Sequence, residues 1–199
     1  MIDNIQQHIL DNIEALSEIP QDTLENIETV TAVLSLSIPA NKIIIAASSL
    51  CAPIGNIFSE EINLHNAFNE EPSLNAYNLS SNAHKINYLY TNLGVSDAIK
   101  LEFEGIAKEG DCLLILSHNT EESINFVDVI QSAKGREIPV VIFSKENDEQ
   151  LKSLLDEEDT MIVLSSNSDE TFIEILLTSI HCIVSVLNED FTDEEEAEE

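Results

Sequence analysis

Apolar residues near the start of the chain recur every three or four positions, which is the period of an amphipathic helix. The first stripe predicts a helix over Met1–Glu18, ended by Pro20, with a seam formed by Ile2, Ile5, Ile9, Ile13 and Leu16. Asp22, with Glu25 three residues later, predicts the N-cap of a second helix that runs to about Ser37. The pattern therefore predicts a helical pair ahead of the main domain.

After Pro39, short continuous apolar runs alternate with stretches of helical period. The runs predict strands at Ile43–Ala47, Leu74–Leu79, Cys112–Leu116, Val140–Phe143 and Met161–Leu164. The stretches between and after them predict helices at Ile54–Phe68, His84–Tyr90, Val95–Ala107, Glu122–Ala133, Asn147–Leu155 and Glu170–Leu187. Apolar strands separated by helices predict an α/β fold, a doubly wound five-stranded parallel sheet with helices on both faces.

The charge of the chain narrows the classes of ligand and partner that it can bind. The 199 residues include 8 Lys and Arg against 38 Asp and Glu, a formal net charge of −30, with 43% hydrophobic residues to build a core. No basic stripe is present to neutralise phosphates, which excludes direct nucleic-acid binding. An acidic surface also disfavours membranes and anionic ligands. The acidity has two open explanations, adaptation to a salty or cold interior and a C-terminal segment with its own partner.

Composition also divides the chain. We expect an oligomerising helical pair at residues 1–38, an α/β domain at 39–188 and a disordered tail at 189–199, where eight of eleven residues are acidic. The chain has no continuous apolar run of about 18 residues and no secretory pattern at its start, so we expect a cytoplasmic protein. Its three cysteines are scattered in apolar stretches, at Cys51, Cys112 and Cys182, and are expected to be reduced core thiols.

Ligands of doubly wound folds bind beyond the carboxyl ends of the strands. The loops at those ends are Ser48–Pro53, Ser117–Glu122 and Ser165–Asp169. The residues expected to line a cleft there are Ser48, Ser49, Cys51, Ser117, His118, Thr120, Ser123 and Ser166. Cys51 is open to two interpretations, a nucleophile and a buried structural thiol, and its apolar neighbours favour the thiol.

These loops carry a resemblance to a known family. A strand followed by Ser48-Ser49-Leu50-Cys51, the segment Gly110–Ser117 and the helix end Ile130–Lys134 together resemble the SIS (sugar isomerase) domain. Within that family, Glu71-Pro72-Ser73-Leu74 is most similar to a segment of the phosphoheptose isomerases and of DiaA, the DnaA initiator-associating protein. The resemblance implies a flavodoxin-like SIS fold and a homotetramer with clefts at subunit boundaries.

The family's phosphate-binding loops have changed in this chain. The first loop of the isomerases is Gly-Asn-Gly-Gly-Ser, and here it is Ala47–Cys51. Their second loop is Ser-Thr-Ser-Gly-Asn-Ser, and here Ser117–Ser123 includes Glu121 and Glu122. A carboxylate ~6 Å from a phosphate dianion would cost roughly 5 kcal/mol at an effective dielectric of ~20. Glu121 and Glu122 also suit the first turn of a helix, and we expect no phosphate there.

The family's acid/base and zinc-binding positions are half retained. Carried over by position, they fall on Ile57 and Glu61 in one helix and on Ile173 and His181 in the last helix. Only Glu61 and His181 keep suitable chemistry, and the apolar faces of their helices predict that both are partly buried. The pair is open to two interpretations, a catalytic acid/base pair and a vestigial ion pair, and the changed phosphate loops favour the second. Two ligands cannot hold zinc firmly, and we expect no cofactor unless the protein is an isomerase.

Three functions follow from the resemblance. The first is a non-catalytic regulatory protein of the DiaA type, a homotetramer that binds DnaA through positions matching Glu71 and Phe191. The second is a phosphoheptose isomerase, which converts sedoheptulose 7-phosphate to D-glycero-D-manno-heptose 7-phosphate. The third is a sensor of a sugar-derived ligand in the altered cleft. The changed loops favour the first.

Overall fold

Five apolar segments form one parallel sheet in the computed structural model, which describes residues 2–36, 41–69 and 75–196. The strand order is β2-β1-β3-β4-β5, and every neighbouring pair is parallel. The strands are β1 Lys42–Ala47, β2 Asn75–Asn78, β3 Cys112–Ser117, β4 Val140–Ser144 and β5 Thr160–Val163. The predicted α/β fold class is therefore confirmed, with strand positions within about two residues.

Nine α-helices surround this sheet in the described part of the chain. They are α1 Ile2–Ser17, α2 Gln21–Leu36, α3 Ala52–Asn69, α4 Ala83–Leu93, α5 Val95–Ile106, α6 Thr120–Ser123, α7 Val127–Lys134, α8 Glu149–Lys152 and α9 Asp169–Glu196. The helix predicted at Glu122–Ala133 is instead divided by a 3₁₀ turn, Ile124–Phe126. At this point the Ser123 hydroxyl donates to the Thr120 carbonyl, and such local bonds compete with regular helix geometry.

Two hydrophobic cores lie on opposite faces of the sheet. The first is built on α2, α3 and α9 and includes Phe58 and Phe172. The second is built mainly on α5 and α7 and includes Phe103 and Phe126. Burial on both faces explains why the strands are continuously apolar and do not alternate.

Helix α9 is the main covering helix of the first core. Its segment Asp169–Leu187 is the one described stretch that is long and apolar enough by composition to cross a bilayer. In this fold, however, Phe172, Leu176 and Ile180 of that segment are buried against the sheet. The helix also continues to Glu196, past the end predicted at Leu187, because no glycine or proline follows to stop it. The first part of the predicted tail, residues 189–196, is therefore helical.

The first four residues of the predicted α1 seam are exposed, whereas Leu16 packs against the first core. None of the α1 residues is buried, and the helix contacts α9 through its other side, where Asn12 accepts a hydrogen bond from Thr171 at 3.1 Å. Ile2, Ile5, Ile9 and Ile13 remain between 52 and 76% exposed. A continuous exposed apolar strip of this kind is typical of an interaction surface.

A buried carboxylate joins β1 to the segment before β3 at the edge opposite the candidate site. The Asp111 side chain is fully buried and accepts hydrogen bonds from the Lys108 amide (2.8 Å), the Lys42 amide (3.0 Å) and Lys42 Nζ (2.7 Å). All of these donors compensate the cost of burying its charge.

Candidate functional site

The candidate site lies where the loops after β1 and β3 meet. These strands are direct neighbours, with Ala47 paired to Leu116, so their carboxyl ends bring Ser48–Cys51 beside Ser117–Ser123. The chain enters β2 on one side of β1 and β3 on the other, which makes this the point where the strand order reverses. Open α/β sheets bind ligands at such a point.

Ser48 and His118 connect the two loops. The Ser48 amide donates to the Leu116 carbonyl at 2.8 Å, and the His118 amide donates to Ser48 Oγ at 3.2 Å. Ser48 Oγ also lies 3.0 Å from His118 Nδ1, and Ser48 is only 4% exposed. The hydrogen bonds hold the loops in a fixed relation.

Asn119 determines the protonation pattern of His118. Asn119 Oδ1 accepts the Glu122 amide at 2.8 Å, which leaves Asn119 Nδ2 facing His118 Nε2 at 2.5 Å. Because Nδ2 only donates, this network assigns the neutral imidazole an unprotonated Nε2 and a protonated Nδ1 that donates to Ser48. His118 in this state cannot take a proton from Ser48, so the pair does not form an activated nucleophile.

Glu122 occupies the hydrogen-bond donors of the first loop. The Ser49 amide donates to Glu122 Oε2 at 2.9 Å, and Ser49 Oγ lies 2.9 Å from Oε1 and 3.1 Å from Oε2. Backbone amides and hydroxyls in loops after strands are the groups that proteins use to hold phosphates and other anions. An internal carboxylate is therefore the anion bound at this loop.

Cys51 lies beneath the same loop as a buried thiol. Burial raises its pKa to about 11, against the weaker opposing effect of its hydrogen bond with Ser48. The nearby carboxylates of Glu122 and Asp169 raise the pKa further. The thiolate needed by a nucleophile is thus scarce at neutral pH, which favours the structural interpretation of Cys51.

The other predicted cleft residues form bonds within their own segments or lie elsewhere. Ser117 Oγ donates to the Asn119 carbonyl at 3.3 Å, and the single proton of the buried Ser123 hydroxyl is shared between the Thr120 carbonyl and the Asp148 carboxylate that caps α8. Thr120 is exposed at the start of α6. Ser166 donates to the Ser168 carbonyl at 2.8 Å and lines a separate cavity of about 1010 Å³ between α1 and the loop after β5.

Curated relatives of this chain are named phosphoheptose isomerase. The chain is 25% identical to that of Chromohalobacter salexigens over 152 residues, which cover 76% of both chains. It is 25% identical to that of Shewanella sediminis over 182 residues, 91% of this chain and 89% of the relative. No protein-family model matches the chain.

Solved structures give the same picture at the level of the fold. Phosphoheptose isomerase from Neisseria gonorrhoeae matches with a TM-score of 0.84 and 14% identity, covering 94% of this chain and 98% of that one. The Francisella tularensis enzyme matches with a TM-score of 0.82 and 17% identity over the same shares. The chain has the fold of the SIS domain. The resemblance seen in the sequence is confirmed, with the phosphoheptose isomerases as relatives.

The fold brings Glu61 and His181 together. Glu61 on α3 and His181 on α9 lie 3.3 Å apart, between Glu61 Oε1 and His181 Nε2. Their side chains are 39 and 50% exposed, so the pair lies at the surface of the single chain. Ile57 and Ile173, at the other two carried-over positions, are half-buried. Among the described residues, no group of three or more His, Cys, Asp or Glu could hold a metal ion.

The contacts of three groups near the candidate site, Asn119, Lys145 and Asp169, were not predicted from the sequence. Asn119 caps α6, and the Asn-x-x-Glu spacing of Asn119 and Glu122 is a capping pattern that could have indicated it. Lys145 Nζ lies 2.6 Å from Asp169 Oδ1 and, through this bond, lowers the pKa of Asp169. This pair joins the end of β4 to the start of α9 and has no local sequence signal.

The two predicted partner-binding residues are described only in part. Glu71 lies outside the described residues. Phe191 lies within α9, but its side chain is outside the description. Both positions therefore remain predictions.

Proposed function

We propose that this protein is a non-catalytic SIS-domain protein of the cytoplasm, which acts as a homotetramer by presenting surfaces to a protein partner. The observation that carries the proposal is that the Glu122 carboxylate accepts hydrogen bonds from the amide and hydroxyl of Ser49. A sugar phosphate would need those donors. It would also have to approach a carboxylate on a chain with a net charge of −30.

The chemistry near Glu61 and His181 supports the same proposal. Isomerisation requires an acid and a base that each reach the bound substrate. Glu61 and His181 contact each other, and Ile57 and Ile173 offer no donor or acceptor side chain beside them. The pair can form an ion pair between α3 and α9, which needs no substrate.

A turnover assay tests this proposal. We expect no conversion of sedoheptulose 7-phosphate above the buffer rate, with or without added zinc. Conversion that is lost in Glu61→Gln and retained in Glu60→Gln would overturn the proposal. Glu60 is the matched control because it is an exposed glutamate on the same helix.

The partner that the DiaA resemblance suggests is the replication initiator DnaA. A surface with a large negative charge attracts a basic partner and releases it as salt rises. A pull-down against the cognate DnaA should therefore retain the protein at low salt and lose it at high salt. If the double variant Glu71→Arg with Phe191→Ala is retained as well as the wild-type protein, the predicted surface is excluded. If the wild-type protein is not retained at low salt, DnaA is excluded as the partner.

The second candidate function is phosphoheptose isomerisation. It is favoured by the 3.3 Å contact between Glu61 and His181, which preserves two of the four carried-over positions in space. The curated relatives named phosphoheptose isomerase favour it as well. Zinc would then be the implied cofactor. Loss of activity in His181→Ala that added metal does not restore would identify the pair as catalytic.

A further inference from the structure

We propose that the cavity between α1 and the loop after β5 binds a linear aliphatic polyamine, such as spermidine, through a row of carboxylates on α1. The cavity has a volume of about 1010 Å³. None of the residues that connect the loops after β1 and β3 lines it, and neither does Glu61 or His181. The inference therefore goes beyond the proposed function and does not depend on it.

The cavity combines carboxylates with an apolar lining. Asp11, Glu14 and Glu18 belong to α1 and the turn that follows it, and Glu170 at the start of α9 adds a fourth carboxylate. The described residues that line the cavity include no lysine or arginine. Ammonium groups suit the carboxylates, and a methylene chain suits the apolar part of the lining. That part is formed by Ala15, Ile19, Pro20, Val163, Leu164 and Ile175.

The α1 carboxylates form a row and do not surround a point. Asp11, Glu14 and Glu18 follow one another at intervals of three and four residues, which places neighbouring side chains about 5–6 Å apart on one helix face. Two nitrogens joined by an extended four-carbon spacer are separated by roughly 6 Å. Among the described residues, no group of three or more His, Cys, Asp or Glu could hold a metal ion. The spacing therefore matches a linear polyamine better than a single metal ion.

The same carboxylates are unfavourable for α1 itself. Glu14 lies in the last turn of α1 and Glu18 directly after it, where the helix dipole disfavours negative charge. Like charges four residues apart also repel each other. Asp11 accepts a hydrogen bond from Gln7 at 2.7 Å, but the carboxylates of Glu14 and Glu18 have no hydrogen-bond or ion-pair partner among the described residues. Conflicts of this kind are typical of functional sites, and a bound polycation removes this one.

The cavity and the exposed apolar seam lie on different sides of α1. Asp11 and Glu18 line the cavity, whereas Ile9 belongs to the exposed seam. At 3.6 residues per turn, both carboxylates project roughly opposite to Ile9. Packing of a second chain on the seam therefore does not need these carboxylates and leaves them available to a ligand.

Isothermal titration calorimetry with spermidine tests the site in about 0.15 M salt, which weakens diffuse attraction to the acidic surface. We expect the wild-type protein to bind about one spermidine per chain in a saturable manner. Glu14→Gln with Glu18→Gln should weaken binding about tenfold, because two ion pairs with the ligand are lost. The matched control is Glu25→Gln with Glu28→Gln, which removes the same charge from exposed α2 positions outside the cavity lining and should change the affinity less than about twofold.

Thermal unfolding gives a second measurement on the same proteins. Spermidine at roughly tenfold excess over Kd should raise the Tm of the wild-type protein and of the control variant by about 3 °C, with a smaller rise in the Glu14/Glu18 variant. Equal affinities of the two double variants for spermidine would overturn the site, because the attraction would then be diffuse. No saturable binding by the wild-type protein would overturn it as well. Tighter binding of trilysine, a peptide of similar net charge, would overturn the assignment to an aliphatic polyamine.

Discussion

The exposed seam of α1 leads to a prediction about assembly. Ile9 and Ile13 are 52 and 58% exposed, although both belong to a continuous apolar strip. Complete burial of an isoleucine side chain is worth about 1.5–3 kcal/mol, so covering the exposed half of each is worth about 1 kcal/mol or more. In a two-fold symmetric interface both chains contribute, which gives about 4 kcal/mol from these positions in a dimer.

Replacement of both residues by aspartate should break the assembly. Ile9→Asp with Ile13→Asp removes this apolar burial and adds the cost of desolvating unpaired carboxylates. A loss of about 4 kcal/mol alone raises the dissociation constant roughly a thousandfold. We expect the wild-type protein to have the mass of about four chains and the double variant to dissociate at micromolar concentration.

Light scattering after size-exclusion chromatography measures this directly. The charge-matched control is Asn4→Asp with Gln7→Asp, which places two carboxylates on exposed α1 positions outside the seam. Circular dichroism must show that both variants keep the wild-type helix content. A monomeric wild-type protein, or a seam variant with the same mass as the wild type, would refute the reasoning.

Two further predictions concern groups inside the fold. Burial raises the pKa values of Cys51 and Cys112 to about 11 and about 12, whereas Cys182 is exposed. A thiol reagent at pH 8 should therefore modify about one thiol per native chain and three after denaturation. Rapid modification of all three thiols in the native protein would contradict the assigned burial. Asp111→Ala should lower the free energy of unfolding by about 3 kcal/mol, because it removes the buried carboxylate that accepts hydrogen bonds from the Lys42 ammonium and from the Lys42 and Lys108 amides. Urea denaturation measures this loss, and a change below ~1 kcal/mol would show that the buried carboxylate is not stabilising.

The fold could be predicted largely because its signals are local. Apolar runs give the strands, and Pro20 separates two helical periods at the point where α1 ends and α2 begins. The sequence does not predict the 3₁₀ turn between α6 and α7, because one of the two contacts of the Ser123 hydroxyl there is with Asp148, which is distant in sequence. The acidic composition after Leu187 predicts a tail, whereas α9 continues to Glu196 because no glycine or proline interrupts the helix there.

The sequence predicts which loops and residues form the site but not the contacts between them. The sequence places Ser49 and Glu122 in two candidate loops, and it indicates that acids there oppose a phosphate. That Glu122 itself accepts the loop's donors follows from the pairing of Ala47 with Leu116, a tertiary relation that sequence spacing does not contain. The contact of Glu61 with His181 depends in the same way on how α9 packs against α3.

The division of the domain into two cores and a polar rim has an evolutionary consequence. Ser49, His118 and Glu122 belong to neither core, and the sheet is held by buried apolar residues on both faces. Substitutions at the rim therefore change what the domain recognises while most of its folding free energy is preserved. A lineage with this architecture can exchange one biochemical role for another through single substitutions, each of which leaves a folded protein for selection to act on.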